Sequence, residues 1–242
     1  MKVLCVIPAR YASTRFPGKP LVIIEGKTMI QRVYEQALKA SGLDKVVVAT
    51  DDERIARSVE AFGGSVVMTR STHQSGTDRC AEVSEYFPDF DTIINIQGDE
   101  PFVDPEQIEL LISCFENPKV KLATLIKKIK TQEELFNFNT PKVIINNNAQ
   151  AIYFSRQTIP YLRSLPSEDW LTAHQYYKHI GIYGYSRDTL LNITKLPPSN
   201  LELAESLEQL RWVEYGYAIQ TRVTEIETIA IDTPEDLKKI IR

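Results

Sequence analysis

Apolar residues fall along this chain in two alternating patterns. Short runs at 3–7, 45–50, 65–69, 91–97 and 120–128 are apolar on successive positions, which suits strands buried on both faces of a sheet. Between them the apolar positions shift to helical spacing. Met29, Ile30, Val33, Tyr34, Ala37 and Leu38 form one stripe, closed near Gly42. Ile55, Val59 and Phe62 form a second, which Asp51 or Asp52 caps and Gly63 and Gly64 stop. Ala81 and Val83 belong to a third helix, and Ile108, Leu111, Ile112 and Phe115 to a fourth. Strand and helix in alternation predict an α/β fold: a doubly wound, mostly parallel, Rossmann-like sheet with right-handed crossovers.

Past residue 140 the rhythm changes. The runs 142–145 and 151–155 flank Asn146-Asn147-Asn148 and predict a hairpin. Segment 160–175 reads as loop, 179–185 as strand, and Leu203, Leu207 and Leu210 mark a helix. The runs 219–223 and 228–231 read as late strands, and 234–241 as a terminal helix. Mixed strands appended to a parallel sheet predict an excursion over about 142–220 that covers a substrate cleft. No linker divides the chain, so 1–242 reads as one domain.

Composition narrows the function classes. The 242 residues are ample for one α/β core, and a net charge of −4 gives no ground for expecting nucleic acid or an acidic membrane as partner. Cys5, Cys80 and Cys114 are scattered, which signals neither a disulfide framework nor a zinc site. The chain opens without a signal-peptide pattern, and no apolar run approaches a membrane span, so a soluble protein of a reducing compartment is expected.

The chemistry concentrates after the first strand. Residues 8–20 place Arg10, Arg15 and Lys19 in a loop broken by Pro8, Pro17, Gly18 and Pro20. Such a loop is either a solvated surface turn or, at the carboxyl end of the first strand of an α/β sheet, a polyanion site for a nucleoside triphosphate. Neither the P-loop nor the dinucleotide glycine pattern is present. Asp99, before Glu100 and Pro101, reads equally as a turn former and as a ligand for Mg²⁺. Thr233 is the better N-cap of the last helix, with Pro234 at its first position and Asp236 completing a capping box, so Asp232 is left available as a second carboxylate. Lys127, Lys128 and Lys130 read as a solvated face.

The stretch from Ile7 through Arg10, Arg15 and Lys19 to Pro20 resembles the signature loop of the 3-deoxy-D-manno-octulosonate (Kdo) cytidylyltransferases. The likeness continues through Val48-Ala49-Thr50-Asp51, His73-Gln74-Ser75-Gly76-Thr77-Asp78-Arg79 and Asn95-Ile96-Gln97-Gly98-Asp99-Glu100-Pro101. It goes on through Tyr153-Phe154-Ser155-Arg156, His179-Ile180-Gly181-Ile182-Tyr183-Gly184-Tyr185, Leu207-Glu208-Gln209-Leu210-Arg211 and Asp232-Thr233-Pro234-Glu235-Asp236. It implies a nucleotidylyltransferase fold and a reaction in which the C2 hydroxyl of Kdo attacks the α-phosphate of CTP and diphosphate leaves. It implies that Ala9, Arg10, Arg15 and Lys19 hold the triphosphate, that Gln74, Ser75 and Gln97 lie near nucleotide and sugar, and that Asp99 and Asp232 hold Mg²⁺. Arg156, His179, Tyr183, Glu208 and Gln209 would line the sugar pocket; the substrate's carboxylate makes Arg79 and Arg156 candidates for it. A homodimer formed through the excursion, a cytoplasmic location and a place in lipopolysaccharide assembly follow from the same resemblance. The alternatives are a sialic-acid or sugar-phosphate nucleotidylyltransferase, or a nucleotide-binding regulatory protein without turnover.

Overall fold

The computed structural model describes residues 1–12, 16–227, 231, 233 and 235–237. Arg15, Asp232 and most of the strand and helix expected at 228–231 and 234–241 lie outside the described residues.

The strands are β1 (Val3–Pro8), a short hairpin of β2 (Ile23–Ile24) and β3 (Lys27–Thr28), β4 (Lys45–Thr50), β5 (Val66–Met68), β6 (Thr92–Asn95), β7 (Leu122–Lys128), β8 (Lys142–Ile145), β9 (Ala151–Ser155), β10 (Tyr177–Ser186) and β11 (Gln220–Val223). The α-helices are α1 (Met29–Ala37), α2 (Glu53–Ala61), α3 (Gly76–Tyr86), α4 (Pro105–Ser113), α5 (Gln132–Phe136), α6 (Trp170–Ala173), α7 (Arg187–Ile193), α8 (Asn200–Glu205) and α9 (Gln209–Glu214). Among the described residues the main sheet runs β11-β7-β10-β6-β1-β4-β5, and the β8–β9 hairpin pairs onto the start of β10. β1 is parallel to β4 and β6, β4 to β5, and β7 to β11; β10 alone on that path is reversed, against both β6 and β7.

The unbroken apolar runs have a simple cause. Val3, Cys5 and Ile7 of β1 face one side of the sheet with residues of α1, α2 and α4, while Leu4 and Val6 face the other with residues of α3 and α7. Both faces are covered, so the alternation of a half-exposed strand disappears. Side-chain caps set the helix starts: Thr28, Asp52, Ser75, Asp104, Thr131, Ser186 and Ser199 each accept a first-turn N–H. Asp52 is therefore the cap of α2, and Asp51 is left for another task. Thr233 and Asp236 make the reciprocal bonds of a capping box, Thr233 N–H to Asp236 Oδ2 at 3.0 Å and Asp236 N–H to Thr233 Oγ1 at 3.3 Å.

Four readings change. Within the span 142–220, β10 runs through the middle of the main sheet rather than over it. The helix marked by Leu203, Leu207 and Leu210 is two helices, α8 and α9, separated where Ser206 adopts φ 52°; Leu203 is 66% exposed, whereas Leu207 and Leu210 are buried. Segment 160–175 contains α6, whose Trp170 packs with Ile129, Leu135 and Tyr176. Lys127 is not solvated: it is buried on β7, and its ammonium donates to the Glu225 carbonyl at 2.5 Å. A buried cation needs such a partner, and the chain after β11 provides it.

β10 carries a bulge between Ile180 and Tyr183. The ladder interrupted there leaves carbonyls to satisfy, and the fully buried Thr124 hydroxyl lies 3.2 Å from Ile180 O and 2.8 Å from Ile182 O. Farther along, Gly184 packs so closely on the neighbouring layer that a β-carbon there would sit 2.5 Å from Phe115 Cε2 and 3.1 Å from Ile94 Cδ1. Gly184→Ala is therefore expected to lower stability by roughly 1–3 kcal/mol through overpacking, read as a reduced urea midpoint at unchanged slope.

Candidate active site

The pairing of β1 with β4 and β6 decides where the chemistry meets. The parallel register runs Val3↔Thr92 through Val6↔Asn95, so β1 and β6 end side by side. Their continuations, residues 8–10 and 97–99, leave the same carboxyl edge of the sheet. Two glycines let neighbouring segments close in on Pro8. A β-carbon on Gly98 would lie 2.8 Å from the Pro8 carbonyl oxygen, and one on Gly76 3.0 Å from Pro8 Cγ. The loop after β1 is closed by Gly18, whose N–H donates to Tyr11 O at 2.9 Å; its φ of 72° and the Tyr11 ring only 3.1 Å from a would-be β-carbon suit glycine alone.

A cavity of about 220 Å³ opens at this edge. Its walls come from the loop after β1 (Ala9, Arg10, Lys19), the turn into α3 (His73, Gln74, Ser75, Gly76), Arg79 on α3, and Gln97, Gly98 and Asp99 after β6. Lys19 Nζ meets Asp99 Oδ2 at 2.7 Å, which joins two segments far apart in the chain. Arg10 is exposed at the rim. The first turn of α3 is fixed by a capping box between Ser75 and Asp78, and Gln74 N–H also donates to Asp78 Oδ2 at 3.2 Å. Arg79 is only 4% exposed; Nη1 donates to Thr69 Oγ1 at 2.6 Å and Nη2 pairs with Asp51 at 3.0 Å. The freed Asp51 thus compensates a buried guanidinium in the cavity wall. His73 pairs with the Glu82 carboxylate. Burial alone would raise Glu82, but the Arg70 backbone N–H and His73 hold it below the usual carboxylate range.

Of the residues expected around a sugar, Arg79 and Gln97 line this cavity. His179, Tyr183, Glu208 and Gln209 do not, and form a second group beside it. His179, on β10, contacts the rings of Phe154 at 5.3 Å and Tyr183 at 5.2 Å; Tyr183 also meets Trp212 edge-on at 5.1 Å. The Tyr183 hydroxyl is buried with no protein partner, and burial pushes its phenol well above the usual range. His179 Nε2 lies 3.0 Å from Thr124 Oγ1. Arg156 sits apart from the cavity, its Nε donating to Glu205 O at 2.7 Å and its backbone N–H to Glu205 Oε2 at 2.9 Å. Gln209 is buried at the start of α9.

Glu208 joins the two groups. Its Oε2 accepts the Thr77 hydroxyl at 2.7 Å. Burial raises the Glu208 carboxyl, and hydrogen bonding from Thr77 opposes the shift. The sequence marked Thr77 only as part of the 73–79 motif, with no role of its own, and Glu82 not at all; a hydroxyl or a carboxylate inside a helix carries no local mark of what it faces.

A cytidylyltransferase family model matches residues 4–229. Over 242 residues the chain is 60% identical to the 3-deoxy-manno-octulosonate cytidylyltransferase of Cytophaga hutchinsonii, with 99% of this chain and 96% of that protein covered. The chain belongs to the 3-deoxy-manno-octulosonate cytidylyltransferase family. Its relative of that name in Bacteroides thetaiotaomicron is 57% identical, over 98% of this chain and 96% of that protein. Among solved structures, a CMP:2-keto-3-deoxy-manno-octonic acid synthetase complexed with CTP superposes with a TM-score of 0.92 at 46% identity, over 99% of this chain and 97% of that one. The mostly parallel sheet with helices on both faces is this family's nucleotidylyltransferase fold, as the sequence led one to expect.

Enclosure gives His179 a measurable signature. Burial lowers its pKa from 6.5 to about 3. Between those values the unfolded chain holds a proton that the folded chain does not, so this group's contribution to stability falls as pH drops below 6.5. His179→Gln is expected to flatten the loss of urea stability between pH 7 and pH 5 relative to the parent. An unchanged slope would show that His179 titrates alike in both states.

Proposed function

We propose that this protein transfers CMP from CTP to the anomeric C2 hydroxyl of 3-deoxy-D-manno-octulosonate, forming CMP-Kdo and diphosphate. The observation that carries the reading is the convergence of Arg10, Lys19, Asp99 and the first turn of α3 on one cavity at the carboxyl edge of the sheet, with an enclosed polar group adjoining it. The triphosphate lies against Arg10 and Lys19, and Arg15 acts with them. These cations offset the charge that grows on the departing diphosphate. Gln74, Ser75 and Gln97 orient the nucleotide. Gln97, His179, Tyr183, Glu208 and Gln209 receive the sugar, and the partnerless Tyr183 hydroxyl supports a polar occupant there. Arg79 and Arg156 stay the candidates for the sugar's carboxylate, each already engaged by protein oxygens. No covalent nucleophile is needed; alignment of hydroxyl, α-phosphorus and leaving oxygen supplies the rate.

The donor set at the cavity fits Mg²⁺. Asp99 is a hard oxygen ligand among phosphate-binding cations, and Ile231 N–H donates to the Asp99 carbonyl at 3.0 Å, so the chain immediately before Asp232 touches Asp99. Asp99 and Asp232 would hold the ion, and bound there it would withdraw charge from the phosphate oxygens. Lys19 keeps the Asp99 carboxylate aimed at the cavity.

No helix among the described residues is long and apolar enough to cross a membrane. The likeness to the Kdo cytidylyltransferases supports work in the cytoplasm on behalf of lipopolysaccharide assembly. The exposed rings of Phe136 and Tyr161, both in contact with Trp170, support a homodimer contact in this region.

Diphosphate release should require CTP, Mg²⁺ and Kdo together, and should fail when UTP or a sugar phosphate replaces its counterpart. Asp99→Asn is expected to cut kcat roughly a hundredfold or more while CTP binding, followed by calorimetry, weakens far less. Turnover of that variant at the parental rate would remove Asp99 from the reaction.

A further inference from the structure

Glu208 is an unusual carboxylate for its surroundings. The cation nearest it along α9, Arg211, is committed to Glu202 through two N–H donors. Glu208 is held by a hydroxyl instead. Thr77, 3% exposed, donates to Oε2 at 2.7 Å across a separation of 131 residues. That hydroxyl belongs to the first turn of α3, whose Gln74, Ser75 and Gly76 wall the nucleotide cavity. The helix that follows Glu208 carries Trp212, which meets the Tyr183 and Tyr185 rings edge-on at 5.1 and 5.8 Å. The Thr77–Glu208 bond thus ties the nucleotide-binding turn to the helix packed on the aromatic strand.

We propose that Thr77 is a positioning residue for the acidic sugar, its hydroxyl fixing Glu208 so that the turn gripping the nucleotide also sets the carboxylate that meets a sugar hydroxyl. This rests on the function proposed above. The geometry favours it because the Thr77 hydroxyl engages Oε2, and a carboxyl group has a second oxygen with which to accept a hydroxyl of the incoming substrate. Thr77 touches neither substrate in this reading and acts through Glu208.

Thr77→Val keeps the shape and removes the donor; Thr77→Ser keeps the donor. In Thr77→Val the KM for Kdo should rise about tenfold, the cost of one hydrogen bond to a buried charge, while CTP binding without Kdo shifts less than about twofold. Thr77→Ser should restore the KM. In a Glu208→Ala background, Thr77→Val should add nothing further, because both changes remove the same interaction. An unchanged KM for Kdo, an equal loss in CTP binding, or a full additional effect in the Glu208→Ala background would each overturn the proposal. Should the valine variant fail to fold, Thr77→Ala carries the same readouts. If the parent shows no Kdo-dependent diphosphate release, the functional reading fails and takes this one with it. An active parent matched by Thr77→Val overturns this inference alone.

Discussion

The site depends on a close approach of backbones: the end of β6 passes over the end of β1 with nothing but glycine between them. Gly98 lies against the Pro8 carbonyl at a distance that no side chain permits. Parallel pairing of β1 and β6 delivers the two segments to the same edge, and the missing side chain lets them touch. Only then can Lys19 and Asp99, far apart in sequence, form a 2.7 Å ion pair beside the cavity. Open α/β sheets place their ligands outside the carboxyl ends of the strands, and here that rule acts through a few contacts of backbone on backbone.

The charges around the cavity are shared out rather than pooled. Lys19 is balanced by Asp99, the buried guanidinium of Arg79 by Asp51, and His73 by Glu82, while Arg10 stands at the solvent rim. Buried ions left unmatched would cost more than the fold could sustain, so Lys19 and Arg79 each have an acid of their own. The consequence for recognition is directional. The exposed rim offers charge to a polyanion, and the interior offers oriented dipoles to neutral groups. Glu208 differs from the paired acids in bonding a hydroxyl, that of Thr77.

Much of this was legible in the sequence because it is local. Continuous apolar runs gave β1, β4, β6 and β7; the 3.6-residue stripes gave α1, α2 and α4; and the glycines and prolines of 8–20 marked the loop. The nucleotide-side residues Ala9, Arg10, Lys19, Gln74, Ser75, Gln97 and Asp99 do meet in one cavity, since each lies at an element end that the pattern locates. What escaped was set by distant partners. The residues 179–185 show strand propensity but not that their neighbours are β6 and β7 in reversed direction. Lys127 looks like a surface charge until the chain at Glu225 closes over it. The break at Ser206 has no sequence mark, because a left-handed serine is held by its surroundings and not by its own preference. Thr77 fits any helix; only Glu208, from the far end of the chain, gives its hydroxyl a purpose.

The reversed central strand bears on how the molecule is made. β6 and β7 follow one another along the chain, yet they do not pair; β10, synthesised later, lies between them. A nascent chain that has emerged only through Lys128 therefore holds two strand edges that must wait for their partner. Waiting edges invite pairing with other chains, and long-range closure is slow. Joining β6 to β7 is thus an insertion, and the aromatic side chains His179, Tyr183 and Tyr185 arrive with the very strand that makes it.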